Sequence, residues 1–270
     1  MRAFEFARSE KSIHGNIMKH CLEIKNLTVV AEGKTIVRDA SIAIRPGELV
    51  ILMGKNGSGK STFVNAVLGH PKYTVTSGKI LLEGKNILDM KTDARARAGI
   101  FLSVQSPVAI PGVTLMNFLR SAWNAVHPEK QITAMDFFPI VKEHLERLKM
   151  PVDFAYRPLN DGFSGGEKKK AEMLQMSILR PKFALLDEID SGLDRDAREV
   201  VLRAIDLLRK EGTGFLIITH YASMAEALKP DRVFLMEDGR ITREGTIDLA
   251  REIEKKGYGE DNSKVKNQKL

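Results

Sequence analysis

The stretch ELVILMGKNGSGKSTFVNAVL, residues 48–68, constrains the fold more than any other part of this chain. Leu49 to Met53 is an unbroken apolar run, as suits a strand buried on both faces. Gly54, Gly57 and Gly59 follow closely, and beyond them Phe63 and Val67 fall at helical spacing. The order predicts a strand, a tight loop and a helix over 60–69. Gly54, Gly59, Lys60 and Ser61 fit the pattern G-x-x-x-x-G-K-[ST], in which glycines let backbone N–H groups curl around phosphate oxygens without interference from a Cβ. Lys55, Asn56, Gly57, Ser58 and Thr62 complete the expected cradle, and the helix N-terminus adds partial positive charge. A bare strand-to-helix turn would leave the lysine and the hydroxyl unexplained.

A phosphate cradle of this kind needs a carboxylate to hold Mg²⁺, and FALLDE supplies one at the end of a second buried run. Asp187 is expected to stay ionised in the metal shell with Ser61, and Glu188 to polarise an attacking water as general base. Further back, FSGGEKKKAEMLQ opens a helix in which Ser164 and Glu167 form a capping box. Gly165 and Gly166 in its first turn cost about 1 kcal/mol each relative to alanine. They make sense where a helix tip must approach a phosphate closely.

The remaining pattern predicts an α/β fold with a mixed core sheet, an antiparallel β subdomain and an inserted α-helical subdomain. From residue 21, CLEIKNLTVV, KTIV and ASIAI read as a small antiparallel sheet. Residues 110–158 change to apolar spacings of three and four, broken by Pro128, Pro139 and Pro151, so an insert over about 106–180 is expected. KFALLD, GFLIITH and RVFLME then read as buried parallel strands. The main domain is expected over 21–258, with an N-terminal extension (1–20) that reads as disordered, and a C-terminal tail (259–270). Residues 1–17 lack the apolar core of a secretory signal, and Met18 is a candidate start.

Charge and cysteine content exclude several functions. The net charge of +7 sits mostly in the tails, leaving a nearly balanced body with no aromatic-interleaved basic stripe, so no nucleic-acid partner is expected. The longest uncharged stretch, residues 98–119, contains two prolines and several polar side chains, which excludes membrane insertion. Cys21 is the single cysteine, so neither a disulfide nor a cysteine-held cluster can be built from this chain alone. A reducing, cytoplasmic setting is expected.

The cradle, the SGG helix, LLDE, SGLD and a histidine ending the next strand together resemble the ATP-binding cassette ATPases, over residues 21 to about 258. The resemblance implies a P-loop NTPase of the cassette type that binds ATP with Mg²⁺ and hydrolyses it. Gln105 then matches the glutamine that senses metal and water, Ser164 to Glu167 the signature, Ser191 to Asp194 the D-loop, and His220 the switch histidine at the γ-phosphate. It also implies that a second copy of the chain places its signature and Asp194 against the first copy's nucleotide. Where an aromatic often stacks on adenine, near Val30, this chain has valine.

Glu167, DEIDSGLD, THY, QSPVAIPGV and LKMP are closely similar to the soluble SufC family of the SUF iron–sulfur cluster assembly system. That likeness implies docking on the scaffold proteins SufB and SufD, by way of the groove around SVQSPVAIPGV. Packing of Val108, Ile110 and Val113 against the core is an equal alternative for those side chains. The rival function is the ATP-binding subunit of a membrane transporter.

Overall fold

The computed structural model describes residues 20–257, apart from Ser106 and Ser191. The expected C-terminal tail, and the N-terminal extension except for His20, therefore lie outside the described residues.

Two strands open the fold, β1 (Leu22–Ala31) and β2 (Lys34–Ile44), which pair antiparallel. β4 (Thr74–Leu82) runs along the other side of β1, and β5 (Lys85–Asn86) completes a four-stranded sheet in the order β2-β1-β4-β5. The β1–β4 register slips between Lys25 and Thr28. Gly78 of β4 faces that irregularity with φ +98°, and a Cβ there would lie 2.6 Å from the carbonyl oxygens of Lys25 and Asn26. Only glycine lets the two backbones approach this closely.

β3 (Leu49–Met53) starts a six-stranded sheet with β6 (Ile100–Ser103), β9 (Phe183–Asp187), β10 (Gly214–Ile218), β11 (Arg232–Glu237) and β12 (Arg240–Gly245). The order is β12-β11-β3-β10-β9-β6, parallel except for the antiparallel hairpin of β11 and β12. Every residue of β3, β9 and β10 is buried. Val50 and Leu52 face one core, shared with the four-stranded sheet and with α1 (Lys60–Leu68). Leu49, Ile51 and Met53 face the other, beneath the remaining large helices. The two-residue pleat of a strand splits one apolar run between two cores.

α2 (Thr92–Arg97) precedes β6. Between β6 and β9 lie β7 (Ile110–Thr114), α3 (Leu115–Val126), α4 (Ala134–Arg147), a 3-10 turn (Val152–Tyr156), β8 (Pro158–Leu159) and α5 (Gly165–Leu179). Leu115, Leu119, Phe137, Val141 and Leu145 pack this region onto α5 in the helix-side core. β7 and β8 form a two-stranded ribbon that the sequence pattern did not predict, because Pro111 and Gly112 carry no strand signal. Pro139 lies inside α4 rather than at a break. The hydrogen bond that its ring forfeits belongs to the carbonyl of Met135, a residue that is 87% exposed. The chain ends through α6 (Arg195–Lys210), α7 (Ala222–Leu228) and α8 (Ile247–Lys256).

Parallel pairing brings the C-terminal ends of β3, β6, β9 and β10 to one edge. The loops that leave them carry Gly54, Gln105, Glu188 and His220, residues scattered over more than half of the sequence.

Candidate functional site

That edge opens into a cleft of about 1270 Å³. Its walls include Lys55, Asn56, Gly57, Gly59, Lys60, Ser61 and Thr62 from the glycine loop, with Gln105, Glu188 and His220 from the neighbouring strand ends. The loop has the shape its glycines permit: Gly57 and Gly59 have φ of +80° and +104°, and Gly59 caps α1. At Gly54 a Cβ would stand 2.3 Å from the Met236 carbonyl oxygen and 2.7 Å from Ser58 Oγ, so glycine is required there by packing as well. Lys60 is buried, and its ammonium donates to the carbonyls of Gly54 and Lys55, both at 2.8 Å. Desolvation holds its pKa below the ordinary lysine value, opposed by the charges of Glu188 and Asp187.

Asp187 closes β9 at 3% exposure, and among the described residues its Oδ1 has no hydrogen-bond partner. Burial pushes its pKa up; a hydrogen bond from Ser61 and the charges of Lys60 and Lys169 work against that rise, while Glu188 adds to it. The expected fully ionised carboxylate thus needs a further positive charge to be comfortable. Carboxylate, hydroxyl and amide oxygens from Asp187, Ser61 and Gln105 are the hard donors that Mg²⁺ takes, and the orphaned Oδ1 is the buried acceptor such an ion would satisfy.

Glu188 adopts φ +51° and is gripped from two sides. Gln105 Nε2 donates to one carboxylate oxygen, and His220 Nε2 lies 3.1 Å from the other. A parallel link ties the same two loops together, for Thr219 Oγ1 donates to Asp190 at 2.6 Å and accepts from the Tyr221 backbone N–H at 3.1 Å. Asp190 and Tyr221 both line the cleft.

Ser164 and Glu167 make the capping box in full: Ser164 N–H donates to Glu167 Oε2 at 2.7 Å, and Glu167 N–H to Ser164 Oγ at 3.3 Å. Ser164 and Gly165 are exposed, and no residue of α5 borders the cleft of its own chain. The two glycines also have a reason within the chain, since a Cβ on Gly165 would lie 3.3 Å from the Gly192 carbonyl oxygen and one on Gly166 3.4 Å from Ala197 Cβ. Asp194 caps α6 by accepting from Ala197 N–H at 2.7 Å and stands outside the cleft lining. Ser191 lies outside the described residues. Farther down α5, Lys169 and Glu172 form a buried ion pair of 3.0 Å, and Lys169 also reaches Ser103 Oγ and the Val104 carbonyl, both at 3.4 Å. α5 is thereby tied to the strand end that precedes Gln105.

Several lining residues escaped the sequence reading. Ala31, Glu32, Lys34 and Ile36 come from the β1–β2 hairpin, and Lys72 and Tyr73 from the segment before β4. They belong to no motif; the only signal for them is position beside the glycine loop in the folded sheet.

A strand, a glycine loop and a helix, with a strand-end acid beside the loop lysine, define a P-loop nucleotide-binding cassette. Comparison with known proteins agrees. The family described as ABC transporter matches residues 37–191. A probable ABC transporter ATP-binding protein of Streptococcus pyogenes serotype M3 is 49% identical over 238 residues, covering 88% of this chain and 93% of that one. Vegetative protein 296 of Bacillus subtilis is 48% identical over 238 residues, covering 88% and 91%. The probable ATP-dependent transporter ycf16 of Cyanophora paradoxa is 45% identical over 240 residues, covering 88% and 93%. Among solved structures, an ATP-binding subunit of an ABC transporter superposes with a TM-score of 0.71 at 26% identity, covering 87% and 94%. A dimeric cassette in a post-hydrolysis state, bound to ADP and Pi, shares the fold with a TM-score of 0.73 at 22% identity, covering 84% and 98%. This chain belongs to the ABC transporter ATP-binding family.

Proposed function

We propose that this chain is a SufC-type subunit: an ATPase that closes head to tail with a second copy around Mg²⁺-ATP and moves the scaffold proteins SufB and SufD of the SUF iron–sulfur assembly system. The observation that carries the ATPase reading is Glu188, held between Gln105 and His220 at the mouth of a glycine cradle. Lys60 and the N–H groups of residues 54–62 bind the β and γ phosphates, Lys60 exchanging its two carbonyl partners for phosphate oxygens. Ser61, Asp187 and Gln105 would hold Mg²⁺, which when bound would neutralise phosphate charge. Glu188 accepts the proton of the attacking water as the bond from the γ-phosphorus to ADP breaks, and His220 donates to the γ-phosphate. The partner copy's Ser164–Glu167 tip then closes the cradle's open side.

The SUF assignment rests on the motifs DEIDSGLD, THY and QSPVAIPGV and on an exposed apolar strip. Val108 is 77% exposed, and Val104, Ile110 and Val113 are each 36% exposed, more than side chains packed into the core would be. Among the described residues no helix is long and apolar enough to cross a membrane.

Glu188→Gln is expected to abolish ATP hydrolysis while ATP binding and ATP-dependent dimerisation persist. Turnover within about tenfold of the parent, roughly 1.4 kcal/mol in barrier, would remove Glu188 as the base. Mild affinity purification from the source cell is expected to recover SufB and SufD; an integral membrane permease in their place would establish the transporter alternative.

A further inference from the structure

In a cleft that takes a nucleoside triphosphate with its phosphates at Lys60, the base must lie at the end away from Glu188 and His220. That end is walled by Ala31, Glu32, Lys34 and Ile36 on the β1–β2 hairpin, and by Lys72 and Tyr73 across from them. Val30 is not part of the wall. Strand pairing relates the two walls. Val30 faces Thr74 across β1 and β4, so Ala31 and Tyr73 are the next two residues beyond that pair. Facing residues of an antiparallel pair project to the same side, and both of these line the cleft.

We infer that Tyr73 is the base platform of this nucleotide site, a role that rests on the proposed ATP-binding function and assigns the aromatic to the strand beside β1. Three features fit it for the task. Its ring is held, being half-buried against the core beneath the four-stranded sheet and 5.5 Å from the His70 ring at 54°. Ala31 opposite is small, which leaves room for a base between the hairpin and the ring. Lys72 Nζ meets Glu32 Oε1 at 3.1 Å, so an ion pair spans the two walls at this end. The other aromatic in the lining, Tyr221, follows His220 directly and belongs to the opposite end.

A stacking platform takes any base, since every base offers a π face. The site should therefore discriminate weakly between adenine and guanine and lose both together when the ring goes. The experiment measures dissociation constants for Mg²⁺-ATP, Mg²⁺-GTP and Mg²⁺-tripolyphosphate on the full chain and on Tyr73→Ala, Tyr73→Leu, Tyr73→Phe and Lys60→Ala. Tyr73→Ala and Tyr73→Leu are expected to weaken ATP and GTP alike by about tenfold, within the range that base–aromatic stacking supplies. Tripolyphosphate affinity should stay within about twofold, which also certifies the fold, and Tyr73→Phe should restore nucleotide affinity. ATP affinity within about twofold of the parent in both the alanine and leucine variants would overturn the platform, as would loss of ATP binding with GTP binding retained. If Lys60→Ala leaves tripolyphosphate binding intact, the underlying phosphate site itself is wrong, an outcome distinct from any result at Tyr73.

Discussion

A carboxylate shut away from water is an uneasy anion, and Asp187 is kept in that condition at the end of β9. Its pKa is raised in the folded chain, so its contribution to stability is complete below the ordinary carboxylate value and is lost as pH climbs through the raised one. At neutral pH the nucleotide-free protein carries this penalty. Asp187→Asn is expected to raise the melting temperature of the nucleotide-free protein at pH 7.5 by a few degrees, about 1 kcal/mol being worth 2–4 °C in a chain of this size. The same change should eliminate Mg²⁺-dependent ATP affinity. A fall in melting temperature would show that the carboxylate's attraction to Lys60 and Lys169 outweighs its desolvation. Lys60→Ala acts like Asp187→Asn on function but oppositely on stability, leaving the Gly54 and Lys55 carbonyls without a donor while removing tight triphosphate binding, as equilibrium dialysis with labelled ATP would report.

Among the elements, α5 is capped at its tip by Ser164, and substitutions there can separate the cap from the phosphate recognition that the proposed function assigns to it. Ser164→Ala removes the cap and should cost about 1 kcal/mol of stability, read as a shift in the urea midpoint. Ser164→Asp retains a capping oxygen but adds negative charge, so it should keep the midpoint and prevent ATP-driven dimerisation in gel filtration. A parental dimer with aspartate would take phosphate recognition away from this tip. α1 is fixed at its other end by Arg95, a buried guanidinium that donates to the carbonyls of Ala66, Val67, Leu88 and Met90. Arg95→Met should destabilise the protein by about 3 kcal/mol, because the helix end keeps its buried carbonyls and loses their donor. The elements also show how far the sequence could be read. The cradle was legible because its glycines and lysine act over a few adjacent residues, and Glu188 and His220 because each ends a buried apolar run. Tyr73 was not, since its place opposite Ala31 is set by strand register across more than forty residues. The β7–β8 ribbon and the Asp190–Thr219 link were hidden for the same reason: each joins segments that no local pattern relates.

For the molecule as a whole, the strip of Val104, Val108, Ile110 and Val113 flanks Gln105, so anything that grips it has a short path to Glu188. Val108→Asp should break capture of the scaffold partners in pull-downs while leaving ATP affinity unchanged, since Val108 touches no part of the cleft. Unimpaired capture would move the docking surface elsewhere. No residue of α5 lines its own chain's cleft, so in the proposed head-to-tail pair each copy's α5 tip would complete the other's chamber. Such an enzyme counts its neighbours: diluted, its turnover per molecule should fade in proportion to the loss of encounters. Two copies tethered side by side would instead keep a steady pace however thinly they are spread, so whatever holds the pair together also sets the clock.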